Sequence, residues 1–312
     1  MNRLAHTALP APLFRALKAV RDAAADRVGR AAARRPGVER TVTATGRALF
    51  GRSLYFDLFY RRATDALLAD ATREGPLYRR LRLAGVDLWG EVSHFSFGTP
   101  YFTGVLYEPE TTALVERVLG EGGSFVDVGA NHGYFTAIAA LRVGASGRVA
   151  AFEPNPRVAA ALGEVLRRNG VAERVAVHPL ALSDRVDDVV RFFVSGDALN
   201  DGLSSLLPGE GAGGSRDGGE VIVVPTTTFD TWAAGAGFGR IDLVKVDVEG
   251  AEARVLEGME ETLRSAPPRR IVLETKPGGE AARFLASFGY AAAPLETVAS
   301  ETANLLFTAS DA

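Results

Sequence analysis

Asp127, Glu153, Ser183-Asp184, Asp247 with Glu249, and Glu274 all stand where short apolar runs end. Polar residues at the carboxyl ends of buried strands face the crevice in which open α/β sheets hold their ligands. Unpaired buried carboxylates are expensive, so several acids on one rim call for a positively charged or hydroxyl-bearing guest. The richest stretch is Phe125–Phe135, Phe-Val-Asp-Val-Gly-Ala-Asn-His-Gly-Tyr-Phe. Phe125, Val126 and Val128 read as a buried strand, Gly129 and Gly133 bracket a tight turn, and Tyr134–Val143 reads as an apolar helix. Glycine allows such a turn and a close approach to a ligand without a Cβ clash. A strand, a glycine turn and a helix N-terminus form a nucleotide-sized cradle. Glu153 follows Gly129 by 24 positions, where an acid can accept hydrogen bonds from both ribose hydroxyls.

The turn is Gly-x-x-x-Gly and lacks the middle glycine of the dinucleotide fingerprint. Asp127 would repel a diphosphate but suits a ligand with an ammonium group. S-adenosylmethionine carries an ammonium and a sulfonium, so it fits better than a nicotinamide dinucleotide.

The elements that must position these residues alternate. Strand 124–128 and helix 133–143 precede strand 148–153 and helix 156–169, and strand 174–181 follows. Strand and helix in turn imply a parallel α/β sheet. Val189–Val194 and Glu220–Val224 read as an inserted β-hairpin flanking the Gly-rich 209–219. Helix 228–234, strand 241–246, helix 250–263, strand 270–274, helix 279–288 and strands 290–295 and 303–308 complete the pattern. Ahead of the sheet, Leu13, Leu17, Val20 and Ala24 recur at helical spacing until Pro36-Gly37. A second helical pattern spans 46–84, with the aromatics Tyr55, Phe56, Phe59 and Tyr60 read as a packing face. Val86–Tyr107 reads as short strands with glycine turns, and Pro109–Leu119 as a helix. The expected organisation is a helical N-terminal extension, 1–85, that caps the site or dimerises, and an α/β domain, 86–312.

The 312 residues contain no cysteine, which excludes a disulfide framework, a thiolate nucleophile and a Cys-based zinc site, and fits a cytoplasmic location. No apolar run reaches membrane-spanning length and no secretory leader is evident. Residues 1–90 hold 17 Lys and Arg against 8 Asp and Glu, although the whole chain is at −3. The basic residues are dispersed among alanines rather than clustered with aromatics, so a solvated helical extension is expected rather than a nucleic-acid arm.

Five segments together resemble the FkbM family of S-adenosylmethionine-dependent methyltransferases: 125–136, Ala-Phe-Glu-Pro-Asn-Pro (151–156), Ala-Leu-Ser-Asp (181–184), Asn-Asp-Gly-Leu-Ser-Ser-Leu (200–206) and Ile-Asp-Leu-Val-Lys-Val-Asp-Val-Glu-Gly-Ala-Glu (241–252). The resemblance runs from about Tyr107 to Glu274. It implies a Rossmann-like class I methyltransferase sheet, mostly parallel with an antiparallel last strand. It implies that Asp127, Gly129, Asn131 and Gly133 hold the methionine end of S-adenosylmethionine, that Glu153 and Asn155 serve the ribose, and that Ser183 and Asp184 flank the adenine. Ser205 would close over the cofactor or substrate, and Asp247 and Glu249 would face the methyl group. The implied acceptor is a hydroxyl on a small molecule, a sugar or natural-product intermediate.

Methyl transfer from a sulfonium is mainly positioning, helped by a base as the acceptor proton leaves. Asp247 is the first candidate base, Glu249 the second and His132 the third; Asp247 could instead cap the helix that follows. Lys245 is expected to pair with an acid or point elsewhere. No obligatory metal, no nucleic-acid partner and no membrane span are expected, and a homodimer through the N-terminal helices is allowed. The rival readings are an NAD-dependent oxidoreductase and a non-catalytic methyltransferase-like scaffold.

Overall fold

The computed structural model describes residues 11–186, 189–194, 205–206, 220–297 and 302–310. The chain divides into a helical unit, Met1–Tyr78 with Gly98–Val105, and a sheet unit, Arg79–Phe97 with Leu106–Ala312.

The helical unit contains α1 (Ala11–Arg34), α2 (Pro36–Leu49) and α3 (Leu54–Ala71). Pro36 begins α2 as well as ending α1, since the first turn does not need its missing N–H. The packed stripe of α1 is not its leucines. Ala25 and Ala32 are fully buried, whereas Leu17 and Val20 are 45% and 69% exposed. A Cβ on Gly29 would lie 2.2 Å from the Ala63 carbonyl of α3, so small residues let the two helices close. Tyr60 is buried, stacks on Phe56 and donates its hydroxyl to the Phe102 carbonyl at 2.7 Å.

The sheet unit opens with β1 (Tyr78–Leu83) and β2 (Val86–Glu91), a two-stranded sheet. Helix α4 (Phe95–Thr103) follows, where short strands were expected over 86–107. Gly98 and Pro100 weigh against a helix by propensity; burial of Phe97 and Phe102 overrides them. After α5 (Pro109–Val118), the alternation is β3 (Ser124–Val128), α6 (Tyr134–Val143), β4 (Arg148–Phe152), α7 (Pro156–Arg168) and β5 (Val175–His178). A separate sheet of β6 (Ala181–Leu182), β7 (Val189–Val194), β8 (Ser205–Leu206) and β9 (Glu220–Thr227) has the order β6-β9-β7-β8. The expected hairpin is the antiparallel β7–β9 pair; the Gly-rich 209–219 lies outside the described residues. The remainder is α8 (Phe229–Ala236), β10 (Leu243–Val246), α9 (Glu252–Glu257), α10 (Glu260–Ser265), β11 (Arg270–Thr275), α11 (Glu280–Ser287), β12 (Tyr290–Thr297) and β13 (Ala303–Ala309).

The main sheet has the order β12-β13-β11-β10-β3-β4-β5. From β11 to β5 the pairs are parallel, and β13 runs antiparallel between β11 and β12. This is the Rossmann-like arrangement expected, with its antiparallel last strand. Residues 125–128, 149–152 and 243–246 are all buried, as in strands covered on both faces.

The single helix expected over 250–263 is two. Gly258 breaks it: a Cβ there would lie 2.1 Å from the Ser183 carbonyl. Asp230 then caps α10, accepting from the Glu261 and Thr262 amides at 2.9 and 2.8 Å. Gly258→Ala should therefore cost about 2 kcal/mol or more. Gly163→Ala, in α7 where a Cβ meets nothing within 4 Å, should instead stabilise by about 0.5–1 kcal/mol. Urea unfolding of the two variants checks the pair, and equal midpoints would refute the packing account.

Candidate active site

The turn after β3 owes its glycines first to the protein's own packing. Gly129 has φ 84°, and a Cβ there would lie 1.9 Å from the Asp247 carbonyl at the end of β10. Gly133 has φ 82°, and its Cβ would meet Leu162 of α7 at 2.2 Å. Between them Asn131 takes a left-handed φ of 49°, which asparagine tolerates better than most residues. Its amide donates to Glu153 Oε2 at 3.0 Å, while Glu153 Oε1 accepts the Asn155 amide at 2.8 Å. Asn155 in turn caps α7 through the Arg157 amide. Glu153 therefore ties two loops together.

A cavity of about 270 Å³ opens over these strand ends. Asp127, Gly129, Asn131, His132, Glu153, Asn155, Asp247 and Glu249 all line it. Of the other expected site residues, Gly133, Ser183 and Asp184 do not. At β6 the wall is Leu180, Ala181 and Leu182, while Ser183 turns to Asp184, donating to its Oδ1 at 2.9 Å. Ser205 pairs through its backbone with Phe193; its side chain lies outside the described part, as do residues 200–204. The apolar wall also includes Phe152, Val158 and Phe192.

Lys245 is the charge around which the acids gather. Its side chain is 4% exposed, and Nζ lies 2.7 Å from Asp247 Oδ2, 3.8 Å from Glu108 Oε1 and 5.0 Å from the centre of the Phe135 ring. Burial pushes its pKa down, but Asp247, Glu108 and Asp127 outweigh burial and hold it above its ordinary value. Glu108 has a left-handed φ of 38° and also accepts from Asn304 at 3.0 Å. Asp127 is fully buried and accepts the Thr136 hydroxyl at 2.5 Å; desolvation pushes its pKa up to about 6 against the pull of Lys245. Asp247 makes no side-chain cap to α9, so the capping role considered for it is not taken.

Glu249 and Glu274 come together with Asp247, one oxygen of each within 4.8 Å of the others. Such a trio could hold a divalent cation, a grouping that the Asp247-x-Glu249 spacing alone does not disclose. Desolvation and the neighbouring Asp247 and Glu274 charges raise Glu249 to about 7, and burial followed by Asp247 raises Glu274. Glu249 sits at the rim with a left-handed φ of 52°. Strained backbone of this kind gathers at working sites.

A second polar group, on β2, backs the cavity-lining His132. Buried Glu91 meets His132 Nδ1 at 3.1 Å through Oε2 and accepts the Ser93 hydroxyl at Oε1. The His132 ring stacks on His94, with centroids 3.9 Å apart and planes 8° from parallel. Burial and the adjacent His132 push His94 down to about 2, so its ring stays neutral. Sequence reasoning missed Glu91. The signal for Lys245 was present: one lysine inside the apolar run Ile-Asp-Leu-Val-Lys-Val must be buried with a partner.

A mostly parallel α/β sheet with an acid-lined cavity at its carboxyl edge is a Rossmann-like ligand site. Residues 127–291 match the model of the methyltransferase FkbM domain, and the chain belongs to that family, whose methyl donor is S-adenosylmethionine. Family membership removes the dinucleotide reading. Among curated proteins, the chain is 34% identical over 147 residues to the 2-O-methyltransferase NoeI of Sinorhizobium fredii (strain NBRC 101917 / NGR234), covering 44% of this chain and 58% of that protein. Solved structures resembling it include a SAM-dependent O-methyltransferase from Thermotoga maritima (14% identity, 75% of this chain and 78% of that chain, TM-score 0.40). Another is the O-methyltransferase TomG of Streptomyces achromogenes (14%, 60% and 73%, TM-score 0.34). At these scores the structural likeness carries no part of the assignment. No helix among the described residues is long and apolar enough to cross a membrane.

The residues present fit the donor. Asp127, Asp247, Glu249 and Glu274 offer negative charge to an ammonium and a sulfonium, Glu153 has acceptor capacity for ribose hydroxyls, and Phe152 with the Leu180–Leu182 wall offers apolar surface to a base. Lys245→Met leaves buried Asp127 and its neighbours without their cation and should cost roughly 3 kcal/mol or more. Adding Asp247→Asn to Lys245→Met should recover part of that loss in urea unfolding. A strictly additive double variant would refute the coupling.

Proposed function

We propose that the chain methylates a hydroxyl oxygen of a small molecule, of the sugar or natural-product type, with Glu249 taking the acceptor proton. The observation that carries the assignment of base is the contrast between two neighbouring carboxylates. Asp247 is committed to Lys245 at 2.7 Å. Glu249 has no such partner among the described residues, lines the same cavity, and is raised to about 7, near the pH at which a general base works best. The oxygen acceptor is supported by the 34% identical relative, a 2-O-methyltransferase.

When bound, S-adenosylmethionine supplies an electrophilic methyl group carried on a sulfonium and leaves as the neutral thioether. Glu249 removes the proton as the acceptor oxygen becomes nucleophilic. Asp247, held by Lys245 and by the close approach that Gly129 permits, presents fixed negative charge to the donor's cationic end. Glu153, anchored by two backbone amides, orients the ribose. Positioning of this kind accounts for most of the rate in an in-line displacement.

The base must be ionised to act. Because Glu249 is raised rather than lowered, kcat should climb as pH rises through about 7 and level above it. Glu249→Gln should reduce kcat by roughly 10²–10⁴-fold and abolish that limb, with donor affinity kept within a few-fold. S-adenosylhomocysteine release, followed by mass spectrometry over a panel of hydroxyl-bearing sugars and polyols, is the assay. Methylation confined to amine acceptors would overturn the oxygen assignment, and a full-rate Glu249→Gln enzyme would remove Glu249 as base.

A further inference from the structure

Glu274 is a cavity carboxylate to which the reaction proposed above gives no step. It stands near the end of β11, in register with Asn304 of β13, and its Oε1 accepts the Thr302 hydroxyl at 3.0 Å. β11 lies beside β10, which brings one oxygen of Glu274 within 4.8 Å of one oxygen each of Asp247 and Glu249. Glu249 is exposed and Glu274 half-buried, and both line the cavity. Burial and the Asp247 charge both work against the ionised form of Glu274. A carboxylate so placed calls for a hydrogen-bond donor.

The surface next to these acids is aromatic. Phe95 and Tyr107 are half-buried, line the cavity and meet edge to face, with ring centroids 5.2 Å apart. The Tyr107 hydroxyl is engaged by Glu108 and lies in the field of Asp247 and Glu274, so its ring stands beside the acid group. Apolar ring surface next to two hydrogen-bond acceptors matches a saturated ring with a C–H face and a hydroxyl edge. A phenol or an isolated alcohol would donate to one acid only. Two hydroxyls on adjacent ring carbons lie close enough together to reach two carboxylate oxygens less than 4.8 Å apart, each over about 2.5–3.0 Å.

We propose that the acceptor is a ring-borne vicinal diol of the sugar class: Glu249 takes the proton of the hydroxyl that is methylated, Glu274 accepts the hydroxyl on the next carbon, and Phe95 and Tyr107 pack on the ring's C–H face. The inference deepens the function proposed above and rests on it. The new O–C bond forms as the C–S bond of the sulfonium breaks, with that electron pair staying on sulfur and the proton going to Glu249. Glu274 exchanges no proton and acts as a specificity residue.

The assay is S-adenosylhomocysteine release from methyl glycosides of the common hexoses, each compared with analogues that lack one hydroxyl. For every glycoside methylated, loss of the hydroxyl next to the reacting one should lower kcat/KM by about tenfold to a hundredfold, the range of one hydrogen bond to a charged group. Glu274→Ala should erase that preference by slowing the diol alone; Glu274→Gln, which keeps an acceptor oxygen, should restore part of it. Calorimetry should find S-adenosylhomocysteine bound by Glu274→Ala within a few-fold of the native protein. Donor affinity lost as far as turnover would make Glu274 a donor contact and overturn the subsite. So would native protein that methylates isolated alcohols as fast as diols, or activity that EDTA abolishes and Mg²⁺ restores, which would give the three acids to a cation. All three results leave methyl transfer to oxygen standing. Should Glu274→Ala fail to fold, the deoxy series on the native protein decides. Native protein that binds S-adenosylhomocysteine yet methylates no hydroxyl-bearing acceptor overturns the function proposed above and the diol subsite with it.

Discussion

The sheet's carboxyl edge depends on one buried ammonium. Lys245 stands among apolar residues of its own strand, Leu243, Val244 and Val246, and it is held there by Asp247, Glu108 and the field of Asp127. Without it three acids would face one another across a desolvated space, and the cost would exceed what local packing could offset. With it, Asp247 has an ammonium at 2.7 Å, and the register of the parallel strands β3 and β10 sets the same lysine beside Asp127. The cation is thus internal to the protein. It balances the two acids nearest the strand core and leaves Glu249 and Glu274, farther out, raised by burial and by like charge.

The same economy of position governs the turn. Gly129 would be required even in an empty protein, because the Asp247 carbonyl occupies the space a Cβ would need. That contact brings the end of β10 against the start of the turn, so the fold's packing and the geometry of the site are one constraint. Glu153 extends it sideways: by accepting from Asn131 and Asn155 it fixes the two loops that follow β3 and β4 relative to each other. A site built this way needs little rearrangement to receive a ligand.

Much of this was legible in the sequence, for identifiable reasons. Continuous apolar runs such as Phe125-Val126-Asp127-Val128 announce strands covered on both faces, and the acids that end them mark one edge, because a parallel sheet puts all carboxyl ends together. What was not legible depends on contacts across long separations. Glu91 meets His132 over 41 residues, and Glu274 joins Asp247 and Glu249 only once β10 and β11 lie side by side. Helix α4 was hidden because burial of Phe97 and Phe102 overrides Gly98 and Pro100. The close approach of the Ser183 carbonyl to Gly258, where α9 gives way to α10, was hidden because the two residues lie 75 positions apart. Ser183 and Asp184 were placed on the wall by pattern, yet the wall is formed by the apolar residues just before them.

The electrostatics of the cavity and the proposed reaction constrain each other. Transfer removes one positive charge from the site when a sulfonium becomes a thioether, and a low-dielectric cavity lined by carboxylates resists such a loss. A base outside the cavity would carry the acceptor's proton away and leave the acids uncompensated. As the proposed base, Glu249, which lines the cavity and is raised by desolvation and by these carboxylates, would keep the proton in place, so the charge enclosed before and after transfer would be the same. The exposed position of Glu249 at the rim suits that proposed role: Asp247 and Glu274 are near enough to help raise it, and water is near enough to take the proton before the next cycle.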